Sequence, residues 1–175
     1  GNLLAGGLVE PAFEAETPRP IPQPTGGGDR NAIPGYEFPN VTVRNHFVAT
    51  MPLRVSALRS LGAFHNVFAL ESFMDELALR AGADPVAFRL AHLEDARARD
   101  VVETAAAEFG WDDWTPQPGL VGRGFGYARY KNLAAYCAVA VELGVDRETG
   151  RVRLARVVAA CDSGEAVNPD GIRNQ

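Results

Sequence analysis

Residues 54–81, Arg54-Val-Ser-Ala-Leu-Arg-Ser-Leu-Gly-Ala-Phe-His-Asn-Val-Phe-Ala-Leu-Glu-Ser-Phe-Met-Asp-Glu-Leu-Ala-Leu-Arg-Ala81, organise the chain. The second half places Val67, Leu70, Phe73, Met74, Leu77 and Ala81 at spacings of three and four, one apolar stripe on a helix. Asn66 is positioned to cap its start, and Gly82 to end it in the left-handed conformation. The first half sets Arg59 three residues before Gly62. A guanidinium and a glycine-permitted backbone then lie beside a helix N-terminus, where free amides favour anions and polar ligands. A packed helix preceded by an exposed loop arginine is the plain structural alternative. Glu71, Asp75 and Glu76 share the helix spacing and read as a solvated face or as internal ion partners.

Two more helices follow. Asp84-Pro85 supplies an N-cap carboxylate and a proline at the first helical position, opening a helix over Pro85–Glu94 with Phe88 and Ala91 on one side. A third runs from Ala96 to Phe109, with Val101, Val102, Ala105 and Phe109 inward and Gly110 as its stop. Short turns between three successive helices make a helical layer. Trp111-Asp-Asp-Trp-Thr-Pro-Gln-Pro-Gly119 breaks it and marks a subdomain boundary.

Beyond the break the pattern is β, from Arg123 to Cys161. Tyr136–Val145 is a strand rich in Val, Ala and Tyr, and Asp146-Arg-Glu-Thr-Gly150 is a hairpin loop ending on glycine. Arg151–Cys161 returns, with Val152, Leu154, Val157 and Ala159 or Val158 expected inward. Arg123-Gly-Phe-Gly126 lacks the lysine and spacing of a phosphate loop and reads as a strand with close backbone approach. Asn168-Pro169 opens a last helix. Toward the N-terminus, six prolines from Pro11 to Pro34 and Gly26-Gly-Gly28 read as an extended segment wrapped over a neighbour. Leu3, Leu4, Leu8, Val9, Phe13, Ile33, Tyr36 and Phe38 are its apolar anchors, and residues 41–49 alternate as one strand. The fold class is therefore α+β. A helical layer spans about 66–109 and an antiparallel β-hairpin or sheet about 123–161. The subdomains are 1–52, 53–112 and 113–175.

Composition bounds the function. The 175-residue chain is 46% hydrophobic and 22% charged, both globular values. A net charge of −5 leaves no basic stripe for nucleic acid. No run of 18 apolar residues spans a membrane. Cys137 and Cys161 lie apart in apolar, strand-like runs without C-x-x-C spacing, so they read as two buried free thiols, and this chain holds no metal site of its own. His46, His65 and His92 occupy unlike contexts and form no Ser/His/Asp arrangement.

Several stretches taken in order add a resemblance. They are Gly26-Gly-Gly-Asp-Arg-Asn-Ala-Ile-Pro34, Pro52-Leu-Arg-Val-Ser-Ala-Leu-Arg-Ser-Leu-Gly62, Phe68–Ala78, Ala83–Leu90, Gly122–Asn132, Tyr136–Glu142, Val157–Gly164 and Val167–Gln175. Together they resemble the molybdopterin-binding large subunit of the xanthine dehydrogenase/aldehyde oxidase family, in particular its bacterial isoquinoline- and aldehyde-oxidising branch. The resemblance implies part of a larger molybdopterin-binding domain. It also implies hydroxylation of an aldehyde or aromatic N-heterocycle at a molybdenum–pterin cofactor, with oxygen from water. Electrons would leave through iron–sulfur clusters on a partner subunit, and from there pass to a flavin or cytochrome subunit. Members occur in the bacterial cytoplasm and periplasm.

By position, Arg59 matches the family's active-site arginine. Gln175 matches a glutamine that hydrogen-bonds near the cofactor, and Gly62 and Gly164 would permit close backbone approach. Arg59-Ser-Leu-Gly62 departs from the Arg-Gly-Phe-Gly of xanthine-type members, and no segment matches the family's glutamate base. The chain thus reads as a central slice of a larger subunit, inactive alone, with apolar surface that favours self-association. The alternative from another class is a non-catalytic structural or interaction module.

Overall fold

In the computed structural model the central helix, α1, spans Ala63–Ala81 and begins before its expected cap. The structure describes residues 19, 27–48, 58–116, 118–119 and 122–174. Leu3–Phe13 and Gln175, singled out in the sequence, lie outside them. Gly62 occupies the N-cap position and offers no side chain to it. Asn66 sits inside the helix instead, and its amide donates to Gly28 O at 2.8 Å and Arg30 O at 2.9 Å. The polar side chain that looked like a cap is a tie to the preceding segment. At the other end Gly82 is left-handed (φ 65°), as its position predicts.

The buried side of α1 is rotated from the expected stripe. Glu71, Met74 and Ala78 are buried, Val67, Leu70 and Leu77 are half-buried, and Phe73 is exposed. An inward carboxylate, Glu71, draws that face toward its partners. α2 spans Pro85–Ala91, with the Asp84 carboxylate accepting from Val86 N and Ala87 N. It stops three residues short of Glu94. His92 leaves helical geometry, and its carbonyl accepts from Glu37 N of the lead-in. α3 spans Ala96–Phe109 under an Asp95 cap and ends at left-handed Gly110.

Three antiparallel strands follow in the order β1-β2-β3: β1 Gly122–Arg129, β2 Tyr136–Val145 and β3 Val152–Asp162. A short α4, Pro169–Arg173, follows an Asn168 cap. The helices plus sheet match the expected α+β class. α3 lies across the inner face of the sheet, where Ala98, Val101, Val102, Ala105 and Phe109 meet Phe125, Tyr127, Tyr136, Ala138 and Ala140. The two tryptophans of the break join the packing: Trp111 is buried and donates to the Asp84 carboxylate at 2.8 Å, and Trp114 donates to Glu142.

A one-residue bulge between Glu142 and Leu143 changes which face β3 presents. Glu142 pairs with Arg156 and Leu143 with Leu154, so Ala155 has no opposite number. Val158 and Ala160 turn toward the core, half-buried, and the exposed Arg156 on the same face reaches Phe109 O with its guanidinium. Val152, Leu154, Val157 and Ala159, expected inward, lie exposed on the outer face. Strict alternation assigns a face only while register holds, and one extra residue inverts it. Residues 41–48, expected as a strand, are exposed and carry no strand, with no neighbouring strand among the described residues to pair with.

α1 and α2 close the free edge of β1. Arg89, fully buried, donates Nε to Glu71 Oε2 (2.9 Å), Nη1 to Asp75 Oδ1 (2.7 Å) and Nη2 to Phe125 O (3.2 Å). Glu71 Oε2 also accepts from Tyr127 N at 2.9 Å, and Oε1 accepts from Tyr36 Oη at 2.9 Å. The ion pair thus supplies one acceptor and one donor to a strand edge, as a neighbouring strand would. Burial raises the Glu71 pKa, opposed by Arg89, the Tyr127 amide and Tyr36.

Candidate functional site

Arg59 stands on an exposed loop whose backbone is unusual. Ser60 (φ 74°) and Leu61 (φ 52°) are both left-handed without being glycine. A residue other than glycine in that region costs on the order of 1–3 kcal/mol and persists only when the surroundings enforce it. The enforcement is visible. Gly62 N donates to Gly27 O at 3.0 Å, and Asn66 ties Gly28 and Arg30. A Cβ on Gly62 would lie 2.4 Å from both Gly27 O and Gly28 O. Gly62 has an ordinary φ of −64°, so it is glycine for space, not for dihedral freedom.

That contact gives a direct test. Gly62→Ala drives a methyl into two backbone carbonyls, so the two loops must part. Overpacking of this kind costs about 1–3 kcal/mol. The expected result is faster hydrogen exchange at the Leu61 and Gly62 amides, with α3 unchanged. Unaltered exchange would show that the 27–28 backbone yields freely and that the loop is not held as described.

The 27–33 segment in turn grips the β1–β2 connection. Asn31 Nδ2 donates to Arg129 O and to Asn132 Oδ1, its Oδ1 accepts from Lys131 N, and Asn132 donates to Ile33 O, all at 2.8 Å. Arg30 donates to Tyr130 Oη at 2.8 Å. Three loops are therefore fastened together at one end of the sheet, carrying Arg30, Arg59, Arg129 and Lys131. Asn31 is buried and is the pivot of this arrangement. Its position, three residues after Gly28 in a glycine-rich turn, was the available sequence signal, but nothing local reveals a partner about a hundred residues away.

The end of β3 reaches the same end of the sheet, where Arg129, Tyr136 and Asp162 lie side by side in register. Asp162 accepts from Arg97 Nε and Nη2 at 2.6 Å each and from Gly164 N at 2.8 Å. Arg97 and that amide hold its carboxyl down at about 2. Gly164 is left-handed (φ 83°), so a glycine is required where the chain turns out of β3. Tyr136 Oη and Arg129 both reach Asp95 Oδ2, at 2.8 and 3.4 Å. Of the sequence-selected residues, the structure brings the Arg59–Gly62 loop, through residues 27–33, to the sheet end from which Gly164 emerges; Gln175 lies outside the described residues.

Two clefts adjoin α1. One, about 520 Å³, lies between α1 and residues 32–43 and is walled by Phe38, Val41, Val43, Leu70, Phe73 and Leu77. The other, about 500 Å³, lies between α1 and the outer face of β1 and β2. Among the described residues no three or more His, Cys, Asp and Glu side chains gather as they would round a metal ion, and no helix is long and apolar enough to cross a membrane.

Residues 27–93, which build the strained loop, its anchor and α1 and α2, match the molybdopterin cofactor-binding domain family. The chain is 41% identical over 186 aligned residues to a component of nicotinate dehydrogenase from Pseudomonas putida, covering 99% of this chain and 15% of that protein. It is 35% identical over 123 residues to the beta component of isoquinoline 1-oxidoreductase from Brevundimonas diminuta, covering 69% of this chain and 16% of that protein. It is 26% identical over 169 residues to the membrane-bound aldehyde dehydrogenase [pyrroloquinoline-quinone] of Gluconacetobacter polyoxogenes, covering 84% of this chain and 22% of that protein. The chain thus spans between 15% and 22% of the length of these relatives.

Proposed function

This chain belongs to the molybdopterin-binding xanthine dehydrogenase/aldehyde oxidase family, and from that premise we propose that it forms one wall of a molybdenum–pterin site in a larger hydroxylase subunit. One observation carries the proposal: the segment matching the cofactor-binding domain is the segment that holds Arg59 on a strained, fastened loop. The donor set suits such a group. An anionic pterin cofactor favours cationic surroundings, and the loop cluster carries Arg30, Arg59, Arg129 and Lys131.

When bound, the cofactor would supply a two-electron oxidation that turns a substrate C–H into C–OH with oxygen from water, releasing two protons. The chain's own residues position. Arg59 is a rigid five-donor fork that orients a substrate carbonyl or ring nitrogen and stabilises negative charge developing on it. Gly62 fixes the loop by letting Gly27 and Gly28 approach, and Gly164 turns the backbone after β3. Gln175 would donate to and accept from the cofactor through its amide. The proposed substrate is an aldehyde or an aromatic N-heterocycle, a class suggested by the names of the relatives. Two of those relatives are named as one component of an enzyme with several, which supports partner subunits. The proposed electron route runs through an iron–sulfur partner and on to a flavin or cytochrome subunit. The exposed Phe64, Phe68 and Leu79 of α1 and Leu154 of β3 suit burial against such neighbours.

The experiment is metal and pterin analysis of the intact subunit from cells that make the cofactor, followed by turnover in heavy-oxygen water. Molybdenum and pterin in equal, near-stoichiometric amounts, with the heavy isotope in the product, are expected. A subunit holding neither would end the cofactor reading and leave the interaction module in its place.

A further inference from the structure

The bulge in β3 has aligned the chain's two cysteines. Counted back from the hairpin loop without it, Cys137 would face Ala160. With Ala155 bulged out, Cys137 pairs directly with Cys161. Directly opposed residues of an antiparallel pair have Cα atoms about 4.5–5.5 Å apart, inside the range of about 4.4–6.8 Å that a disulfide spans. The two sulfur atoms are 3.3 Å apart and both thiols are free. Both lie on the outer face, Cys161 exposed and Cys137 half-buried at the end of the groove beside α1. They are the only cysteines in the chain.

From this juxtaposition we infer that Cys137 and Cys161 form a cross-strand dithiol that exchanges with small-molecule disulfides of the glutathione type and closes into a reversible intrachain disulfide. The order of events follows from exposure. The Cys161 thiolate attacks one sulfur of glutathione disulfide, breaking its S–S bond and releasing one glutathione. Cys137 then gives up its proton and attacks Cys161 Sγ, releasing the second glutathione. Two protein thiols lose two electrons in all, and one glutathione disulfide gains them to become two glutathione molecules.

Burial and the neighbouring Cys161 push the Cys137 thiol up to about 12, so Cys137 is the poorer first nucleophile. Blocking Cys161 as a mixed disulfide removes its contribution to that rise and places the sulfur to be attacked next to Cys137. The bond would staple the two strands on either side of the 146–150 loop. This inference does not depend on the cofactor reading.

The test treats the intact subunit with glutathione disulfide, blocks remaining thiols and maps tryptic peptides without reduction. Trypsin releases Cys137 within residues 132–147 and Cys161 within residues 157–173. The expected product is those two peptides linked, lighter by two hydrogens than their sum and carrying no glutathione. Cys137→Ser is expected to stop at a glutathione adduct on Cys161, and dithiothreitol to restore both thiols in the wild type. Adducts that persist on the wild-type peptides would overturn the inference. So would linkage between two chains, or thiols that react only after denaturation. The wild-type map decides on its own if the variant does not fold.

Discussion

Arg89→Met is expected to destabilise the region joining α1, α2 and β1 by about 3–5 kcal/mol, the cost of stranding one member of a buried ion pair. Methionine fills much of the same volume, so the loss is electrostatic and not a cavity effect. Glu71 would lose its counter-charge in a buried site, with the Tyr127 amide and Tyr36 hydroxyl as remaining partners, and Phe125 O would lose its donor. Buried groups left without partners carry their full desolvation cost. The readout is hydrogen exchange at the Tyr127 amide, which Glu71 protects. An opening free energy lower by that amount speeds exchange roughly a hundred- to several-thousand-fold. Glu71→Gln keeps an acceptor and leaves Asp75 to neutralise Arg89, so it should cost less. The double variant should cost less than the two singles added, because residues in one network do not act independently. Additive losses would show that the two residues stabilise the edge separately.

The second large effect concerns Arg59. Arg59→Ala in the intact subunit is expected to lower kcat by about 10²–10³, the usual consequence of removing one preorganised donor from developing negative charge. Molybdenum and pterin content should not change, because the Gly62 and Asn66 contacts that hold the loop stay in place in this variant. Arg59→Lys should recover part of the loss, since it restores charge without the planar fork. An unchanged kcat would remove Arg59 from the chemistry. A parallel fall in cofactor content would make it a cofactor ligand and not a substrate-orienting residue. Comparing Arg59→Ala with Gly62→Ala separates these roles, because the glycine variant disturbs the loop while leaving the guanidinium in place.

Local signals read well wherever the physics is local. Asp84-Pro85, Gly82 and Gly110 set helix ends through a cap, a fixed φ and a left-handed residue, and each lies where the sequence places it. Tyr136–Val145 is legible because turn residues bound it on the far side and β-branched side chains fill it. What failed to read depends on distant partners. Asn66 has the chemistry of a cap, but the carbonyls of residues 28 and 30 compete for its amide. Glu71 fits a solvated face or an internal ion pair equally until Arg89 and the edge of β1 are beside it, which decides for the ion pair. The outward turn of Val157 and Ala159 and the meeting of the two cysteines follow from Ala155, whose bulge has no composition that marks it. In the loop cluster, the turn from Arg59 to Gly62 was visible from its spacing, whereas Asn31, which ties residues 27–33 to the sheet, was not.

The side-chain cap on β1 gives the sheet a direction of growth. Phe125 O, Tyr127 N and Arg129 O already have partners in Arg89, Glu71 and Asn31, so an incoming strand finds little to bind there. Among the described residues no strand lies on the other side of β3. Among the described residues the open margin of the sheet is therefore that of β3, beside the apolar outer face carrying Val157 and Leu154. One margin is shut by charge and the other is left as an address.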